Sequence, residues 1–231
     1  MTSPLDAAAV WVVMPCYNED GSLDAVLGDV TRFGYSIVLI DDGSTVAAAT
    51  HVARPDVHVL RHCVNLGQGA ALQTGIDYAL ARGAQCVVTF DSDGQHRADE
   101  IAHLVDALRV SGCDVALGTR FGQGGQALNI SPARRLTLRI ATRLTRLTTG
   151  LAITDTHNGF RALTRGAASR IRITQNRMAH ASQILDEIAR QSLTFVEVPV
   201  TIRYTNYSLA KGQKMSNAFN ILWESLAGRF S

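Results

Sequence analysis

Cys86-Val87-Val88-Thr89-Phe90-Asp91-Ser92-Asp93-Gly94-Gln95-His96 is the stretch whose reading decides the fold. Its first five residues are apolar or β-branched and stop at a charge, so they read as a short buried strand. A helical pattern from Glu100 to Val110 follows. Two carboxylates one residue apart therefore stand where the strand leaves its sheet, the edge at which open α/β sheets bind ligands. Side chains at i and i+2 of an extended segment point the same way, so Asp91 and Asp93 are expected to face one ligand together. Hard oxygens at this spacing suit Mg²⁺ or Mn²⁺, whose shells are completed by substrate phosphates. The competing reading is a turn that uses Asp and Gly only for their backbone preferences.

Working outward, the same grammar repeats. Val10 to Met14 is a strand ending in Pro15-Cys16-Tyr17-Asn18-Glu19, and Ser36 to Ile40 is a strand ending in Asp41-Asp42-Gly43-Ser44. Val57 to Leu60 is a short strand, and Asp114 to Leu117 is another, ending in Gly118-Thr119-Arg120. Helical patterns lie between them, over Ser22 to Arg32 and Ala70 to Ala81. The glycines of Asn65-Leu66-Gly67-Gln68-Gly69 either leave a helix N-terminus open to a phosphate or make a tight turn. Strand and helix alternate to residue 120, which predicts an α/β fold with a mostly parallel sheet and helices on both faces. Right-handed crossovers then bring Glu19, Asp42, Asp91, Asp93 and Arg120 to one edge. No Gly-x-Gly-x-x-Gly follows the first strand, which removes the main sign of a nicotinamide site.

A chain of 231 residues suggests one domain, 1–231, with a nucleotide-binding half to residue 120 and a second half beyond it. A net charge of +2 argues against a general nucleic-acid binder. The cysteines lack Cys-x-x-Cys spacing and the histidines lack His-Glu-x-x-His, so zinc is not expected. No apolar run approaches the length of about eighteen residues that a membrane span needs. We therefore expect a cytoplasmic chain, at most peripheral to the cytoplasmic face of the membrane.

The second half has its own signals. From Phe121 to Thr154 there is no acid, while Arg135, Arg139, Arg143 and Arg146 recur beside Leu136, Ile140, Leu144 and Leu147. A helix from Pro132 to Leu147 with that pattern is either a basic face on a domain or a surface for an anionic membrane. Asp155 follows at once, Asn176 to Arg190 reads as a helix, and Thr194 to Tyr204 alternates like an edge strand containing Pro199. Met215, Phe219, Leu222, Leu226 and Phe230 form a last amphipathic stripe.

Taken together, Pro15 to Glu19, Asp41 to Ser44, Asn65 to Gly69, Asp91 to His96 and Gly118 to Arg120 resemble the ordered motifs of family 2 glycosyltransferases. Thr154-Asp155, Gly159-Phe160-Arg161, Glu197-Val198-Pro199 and Lys211 resemble the dolichyl-phosphate mannose synthase and polyprenyl-phosphate glycosyltransferase branch. The resemblance implies a GT-A fold and an inverting, metal-dependent sugar transfer. The donor is a nucleotide-sugar such as GDP-mannose or a UDP-hexose, and the acceptor a polyprenyl-phosphate-type lipid. It implies that Pro15, Tyr17, Glu19, Ile40, Asp42 and Ser92 belong to the nucleotide-sugar site. Asp91, Asp93 and Gln95 would hold Mg²⁺ or Mn²⁺, Arg120 and Arg134 would contact phosphates, and Lys211 would approach the diphosphate. Gln-x-x-Arg-Trp, the mark of processive relatives, is absent, so one sugar per reaction is expected.

Three departures from the pattern stand out. Gln68 occupies a place that is basic in many relatives, His157-Asn158 replaces a Ser-rich pair, and Thr205 stands where arginine is usual. Asp155 orients a phosphate acceptor or, for a glycan hydroxyl of the cell envelope, serves as base. The alternatives to the lipid reading are that hydroxyl transfer, a non-catalytic nucleotide-sugar module, or a scaffold for a membrane partner. Membrane attachment is expected through the Pro132 to Leu147 helix, the Met215 to Phe230 helix or a separate anchoring subunit.

Overall fold

The computed structural model describes residues 6–19, 23–50, 52, 54–176 and 179–204. Strand β1 (Val10–Cys16), helix α1 (Leu23–Thr31), β2 (Ser36–Asp41), β3 (Val57–Arg61) and α2 (Gln68–Ala81) come first. They are followed by β4 (Cys86–Thr89), α3 (Ile101–Ser111) and β5 (Val115–Thr119). The second half adds β6 (Gln126–Leu128), α4 (Pro132–Thr149), β7 (Arg161–Thr164), α5 (Arg165–Arg170), α6 (His180–Arg190), β8 (Phe195–Pro199) and β9 (Thr201–Arg203).

Seven strands form one sheet in the order β3-β2-β1-β4-β7-β5-β8, and β6 pairs with β9 in a small second sheet. All pairings in the large sheet are parallel except those of β7, which runs antiparallel to both β4 and β5. Strand β1 is buried on both faces because helices cover both. Val10, Val12, Met14 and Cys16 join the layer of α1 and α3, while Trp11 and Val13 join that of α2, α5 and α6. This explains why its sequence is an unbroken apolar run rather than an alternating one. Gly75 of α2 lies so close to the sheet that a Cβ there would fall 2.4 Å from Val13 and 2.5 Å from Ile40.

Three expectations change. The four residues of β7, not assigned to a strand from sequence, fill the gap between β4 and β5, so both halves of the chain build one sheet. The single strand expected from Thr194 to Tyr204 breaks after Pro199. Its first part, β8, is the edge of the large sheet and its second part, β9, crosses to pair with β6. Helix α6 starts at His180 rather than Asn176. Lys211 and the expected Met215 to Phe230 helix lie outside the described residues.

Candidate active site

Going outward from β1, the chain runs to β2 and β3 on one side and to β4 on the other. This reversal leaves a crevice at the strand ends, between Tyr17 after β1 and Asp91 after β4. The crevice is pinned from beneath, since Ser92 Oγ donates to the Pro15 carbonyl at 2.9 Å. Ser92 is buried in that role, so its side chain shapes the crevice floor. Tyr17 is exposed at the rim. Asn18 closes the neighbouring side, its N–H donating to Ser44 Oγ at 2.9 Å and its Oδ1 accepting from the Thr45 N–H at 2.8 Å.

Strand β4 ends at Thr89 and the chain turns at Ser92 and Asp93. The carboxylates are thus placed by a turn, and not by strand alternation as the spacing suggested. Asp91 accepts from Gln68 Nε2 at 2.9 Å and meets His96 Nε2 at 3.0 Å. The His96 ring is itself wedged against Phe90 and Phe160, at centroid distances of 5.4 and 4.9 Å. Burial works against a charge on Asp91, but the His96 hydrogen bond and the nearby His96, His180 and Arg161 outweigh it and hold its pKa below the usual range. Asp93 goes the other way. Burial first, and then the charge of Asp91, push its pKa up. A pair of half-buried carboxylates that repel each other suits a divalent cation, and the hard-oxygen donor set fits Mg²⁺ or Mn²⁺. Gln95 caps Asp93 through its main-chain N–H at 3.0 Å and through its side-chain amide. Rotated by half a turn, that amide would offer its oxygen to a metal.

The nucleotide residues expected from β2 are placed differently. Ile40 is wholly buried with its side chain against α2, so that side chain is not offered to a ligand. Asp42 is also buried. Its carboxylate accepts from the Leu66 and Gly67 N–H groups at 2.9 and 2.7 Å and meets His62 Nδ1 at 2.7 Å. A side chain of the protein therefore takes the N–H groups just before α2, which favours the tight-turn reading of these glycines over the phosphate reading. The N–H of Gly69, in the first turn of α2, is taken by the Asn176 carbonyl at 2.8 Å.

On the far side of β7, Arg120 is buried and paired with Asp155. Its Nε and Nη2 donate to the two carboxylate oxygens at 2.6 and 3.1 Å, and its main-chain N–H adds a third bond at 3.1 Å. Its Nη1 donates to the Tyr204 hydroxyl at 2.5 Å. Burial opposes this charge, but Asp155 and Tyr204 more than compensate and raise the Arg120 pKa above that of an ordinary arginine. Arg134, from the first turn of α4, lies over the Tyr204 ring with Cζ at 5.0 Å from its centroid. One tyrosine thus holds two guanidiniums, the first by its hydroxyl and the second by its face. Both oxygens of Asp155 accept from Arg120, an arrangement that fixes the guanidinium in place.

The segment Asp155–Gly159 connects the two clusters. At one end Asp155 grips Arg120, and at the other Gly159 lies so close to Asp91 that a Cβ would fall 3.0 Å from its carboxylate oxygen. Four residue steps span at most about 14 Å, so carboxylates and arginines bound one site. Residues 11–172 match the family model described as Glycosyl transferase family 2. The chain belongs to glycosyl transferase family 2. This glycosyltransferase is 33% identical to the polyprenol monophosphomannose synthase of Mycolicibacterium smegmatis, over 87% of this chain and 79% of that one. It is 31% identical to the undecaprenyl-phosphate mannosyltransferase of Micrococcus luteus, over 83% and 82% of the two chains. Among solved structures it is similar to glucosyl-3-phosphoglycerate synthase from Mycobacterium tuberculosis, crystallised with Mn²⁺, UDP and glucosyl-3-phosphoglycerate. The TM-score is 0.71 at 17% identity, covering 94% of this chain and 77% of that one, and the shared fold is GT-A.

Tyr204, Gln68 and His96 contact the candidate residues Arg120, Arg134 and Asp91, and the sequence alone does not mark them for that place. Gln68 was noted only as a departure, and Tyr204 had no signal beyond the end of an alternating run. His157 sits within the connecting segment. Burial lowers its pKa to about 4, with Arg120 adding to the effect and Asp155 opposing it. The ring is thus neutral at neutral pH, while the unfolded chain takes up a proton below about 6.5. Stability is therefore fully present above 6.5 and falls as pH drops toward about 4, by up to roughly 3 kcal/mol. His157→Gln should flatten the Tm–pH curve between those values, and an equally steep curve would show that the ring is not held neutral.

Proposed function

We propose that this glycosyltransferase moves a single sugar, with inversion, from GDP-mannose or a UDP-hexose to a polyprenyl-phosphate-type lipid, in a metal-dependent reaction. The observation that carries the proposal is the Asp155–Gly159 segment, which joins a carboxylate pair suited to a metal–diphosphate to an arginine pair suited to an anionic acceptor. The names of the mycobacterial and Micrococcus relatives point to the same acceptor class. A Methanococcus voltae relative named as a UDP-N-acetylglucosamine–dolichyl-phosphate transferase, 26% identical over 94% of each chain, shows that donors differ among such relatives.

In this reading the nucleotide lies along the ends of β1 and β2, on Tyr17, Glu19 and the main chain at Pro15, over the floor that Asp42 and Ser92 organise. The family resemblance assigns Lys211 to the diphosphate as well. Asp91, Asp93 and Gln95 would hold Mg²⁺ or Mn²⁺, the ions found with the structural relative. When bound, such an ion supplies charge stabilisation for the departing diphosphate. An acceptor phosphate oxygen attacks the anomeric carbon as the bond to the nucleoside diphosphate breaks. That oxygen is already anionic, so no proton has to be removed. Arg120 and Arg134 orient it, and Asp155 fixes Arg120. A hydroxyl acceptor needs a base, which fits less well because Asp155 is committed to Arg120. The intact Asp91 and Asp93 likewise argue against a non-catalytic module.

The test is a panel of nucleotide-sugars with Mn²⁺ and a detergent-dispersed polyprenyl phosphate. One sugar should appear on the lipid phosphate, and an excess of EDTA should abolish the product. Transfer only to glycan hydroxyls would overturn the acceptor assignment, and binding without turnover would overturn the enzymatic one.

A further inference from the structure

Helix α4 is built the wrong way round for a helix that serves only to fill a core. The side it turns inward, where it packs against α6, carries Ala141, Thr142 and Thr145 together with Leu138. Its larger apolar residues point outward: Leu136, Ile140, Leu144 and Leu147 are 60%, 47%, 40% and 82% exposed. At 100° per residue these four fall within a sector of about 80°. Arg135, Arg139, Arg143 and Arg146 are exposed too, and they fill the adjoining sector of about 80°. Among the described residues none of these arginines forms an ion pair. No acid occurs from Phe121 to Thr154 that could pair with them locally. An apolar stripe edged by unpaired arginines is complementary to one surface in particular, a bilayer with anionic headgroups.

We propose that the outer face of α4 docks the enzyme on an anionic membrane surface, with Leu136, Ile140, Leu144 and Leu147 in the interface and the flanking arginines among the headgroups. The inner side of the first turn of the same helix carries Arg134, over Tyr204 and next to Arg120. Docking therefore sets the arginine pair at headgroup level, where a lipid phosphate would be presented. This second point rests on the acceptor reading above; the docking itself does not. Among the described residues no helix is long and apolar enough to cross a membrane, so attachment by α4 would be reversible.

The experiment is flotation of the full chain with phosphatidylcholine vesicles, with or without phosphatidylglycerol, alongside transfer assays. Wild type should float with the anionic vesicles and less so at high salt. Arg139→Gln with Arg143→Gln should weaken binding by about fivefold for each arginine lost. Leu136→Ser with Leu147→Ser should weaken it by about tenfold or more. Both variants should lose transfer to vesicle-borne acceptor and keep transfer to a short, detergent-dispersed prenyl phosphate. Flotation that depends on α4 without transfer to any prenyl phosphate supports the docking surface and overturns the acceptor reading. Unchanged flotation of both variants overturns the docking surface. So does flotation only with a co-expressed membrane protein, which would indicate an anchoring subunit. A wild-type dimer that Leu136→Ser with Leu147→Ser breaks, without vesicle binding, would assign the face to a second copy and also overturn it.

Discussion

Asp93→Asn should lower turnover about a hundredfold or more while leaving the fold as stable as before, or more so. The two effects have one cause. Asp93 is half-buried beside Asp91, and desolvation and that neighbouring charge both raise its pKa, so its charge is held at a cost to the folded state. Sign and window follow directly: a carboxyl with a raised folded pKa subtracts stability at pH values above its unfolded pKa. Removing the charge relieves that penalty, and Tm should hold or rise. Catalysis loses instead on the proposed reading, in which Asp93 is a ligand of a cation that contributes several kcal/mol to stabilising the leaving diphosphate. Mn²⁺ should raise the Tm of the wild type by binding the native state, and raise that of Asp93→Asn much less. Wild-type activity that survives excess EDTA, or a variant that turns over at the wild-type rate, would sink the metal assignment.

Asp155→Asn should be the most destabilising single change in the site. It leaves the Arg120 guanidinium buried, bonded to Tyr204 but without the carboxylate that neutralises it. Breaking one side of a buried ion pair costs about 3–5 kcal/mol. For a chain of this length that corresponds to a fall in Tm of about 6–20 °C. The double replacement Arg120→Met with Asp155→Leu removes both charges and should restore much of the stability, since an apolar pair of similar volume is tolerated where a lone charge is not. Transfer should stay absent in the double variant, since the proposed mechanism uses Arg120 to orient the acceptor phosphate. A double variant that regains both Tm and transfer would mean that the pair is structural only. An Asp155→Asn protein with wild-type Tm would contradict the buried geometry itself.

Much of this architecture is written locally. Short apolar runs ending in polar turns mark β1, β2, β4 and β5, because a strand buried on both faces has to be apolar at every position. The alternation with amphipathic helices implies parallel pairing, and parallel pairing collects Tyr17, Asp42, Asp91 and Arg120 at one edge. The carboxylate pair was legible for that reason, as was the basic helix that follows residue 131.

What sequence left open depends on contacts between distant residues. Strand β7 is only four residues long, too few to show a period, and it pairs antiparallel because the gap between β4 and β5 accepts it. Asp155 reads from sequence as a base or an orienting group, and only the fold closes its 35-residue reach to Arg120, as it joins Tyr204 to Arg120 across 84 residues. Asp42 stands in a plausible ligand motif, yet its carboxylate accepts from the N–H groups of Leu66 and Gly67, a contact across about 25 residues that no local pattern announces. Helix α4 shows the limit most plainly. Its period of 3.6 determines that Leu136, Ile140, Leu144 and Leu147 share a face, but a period has no inside or outside. Only the packing of Ala141 and Thr142 against the body of the protein turns that apolar face toward solvent.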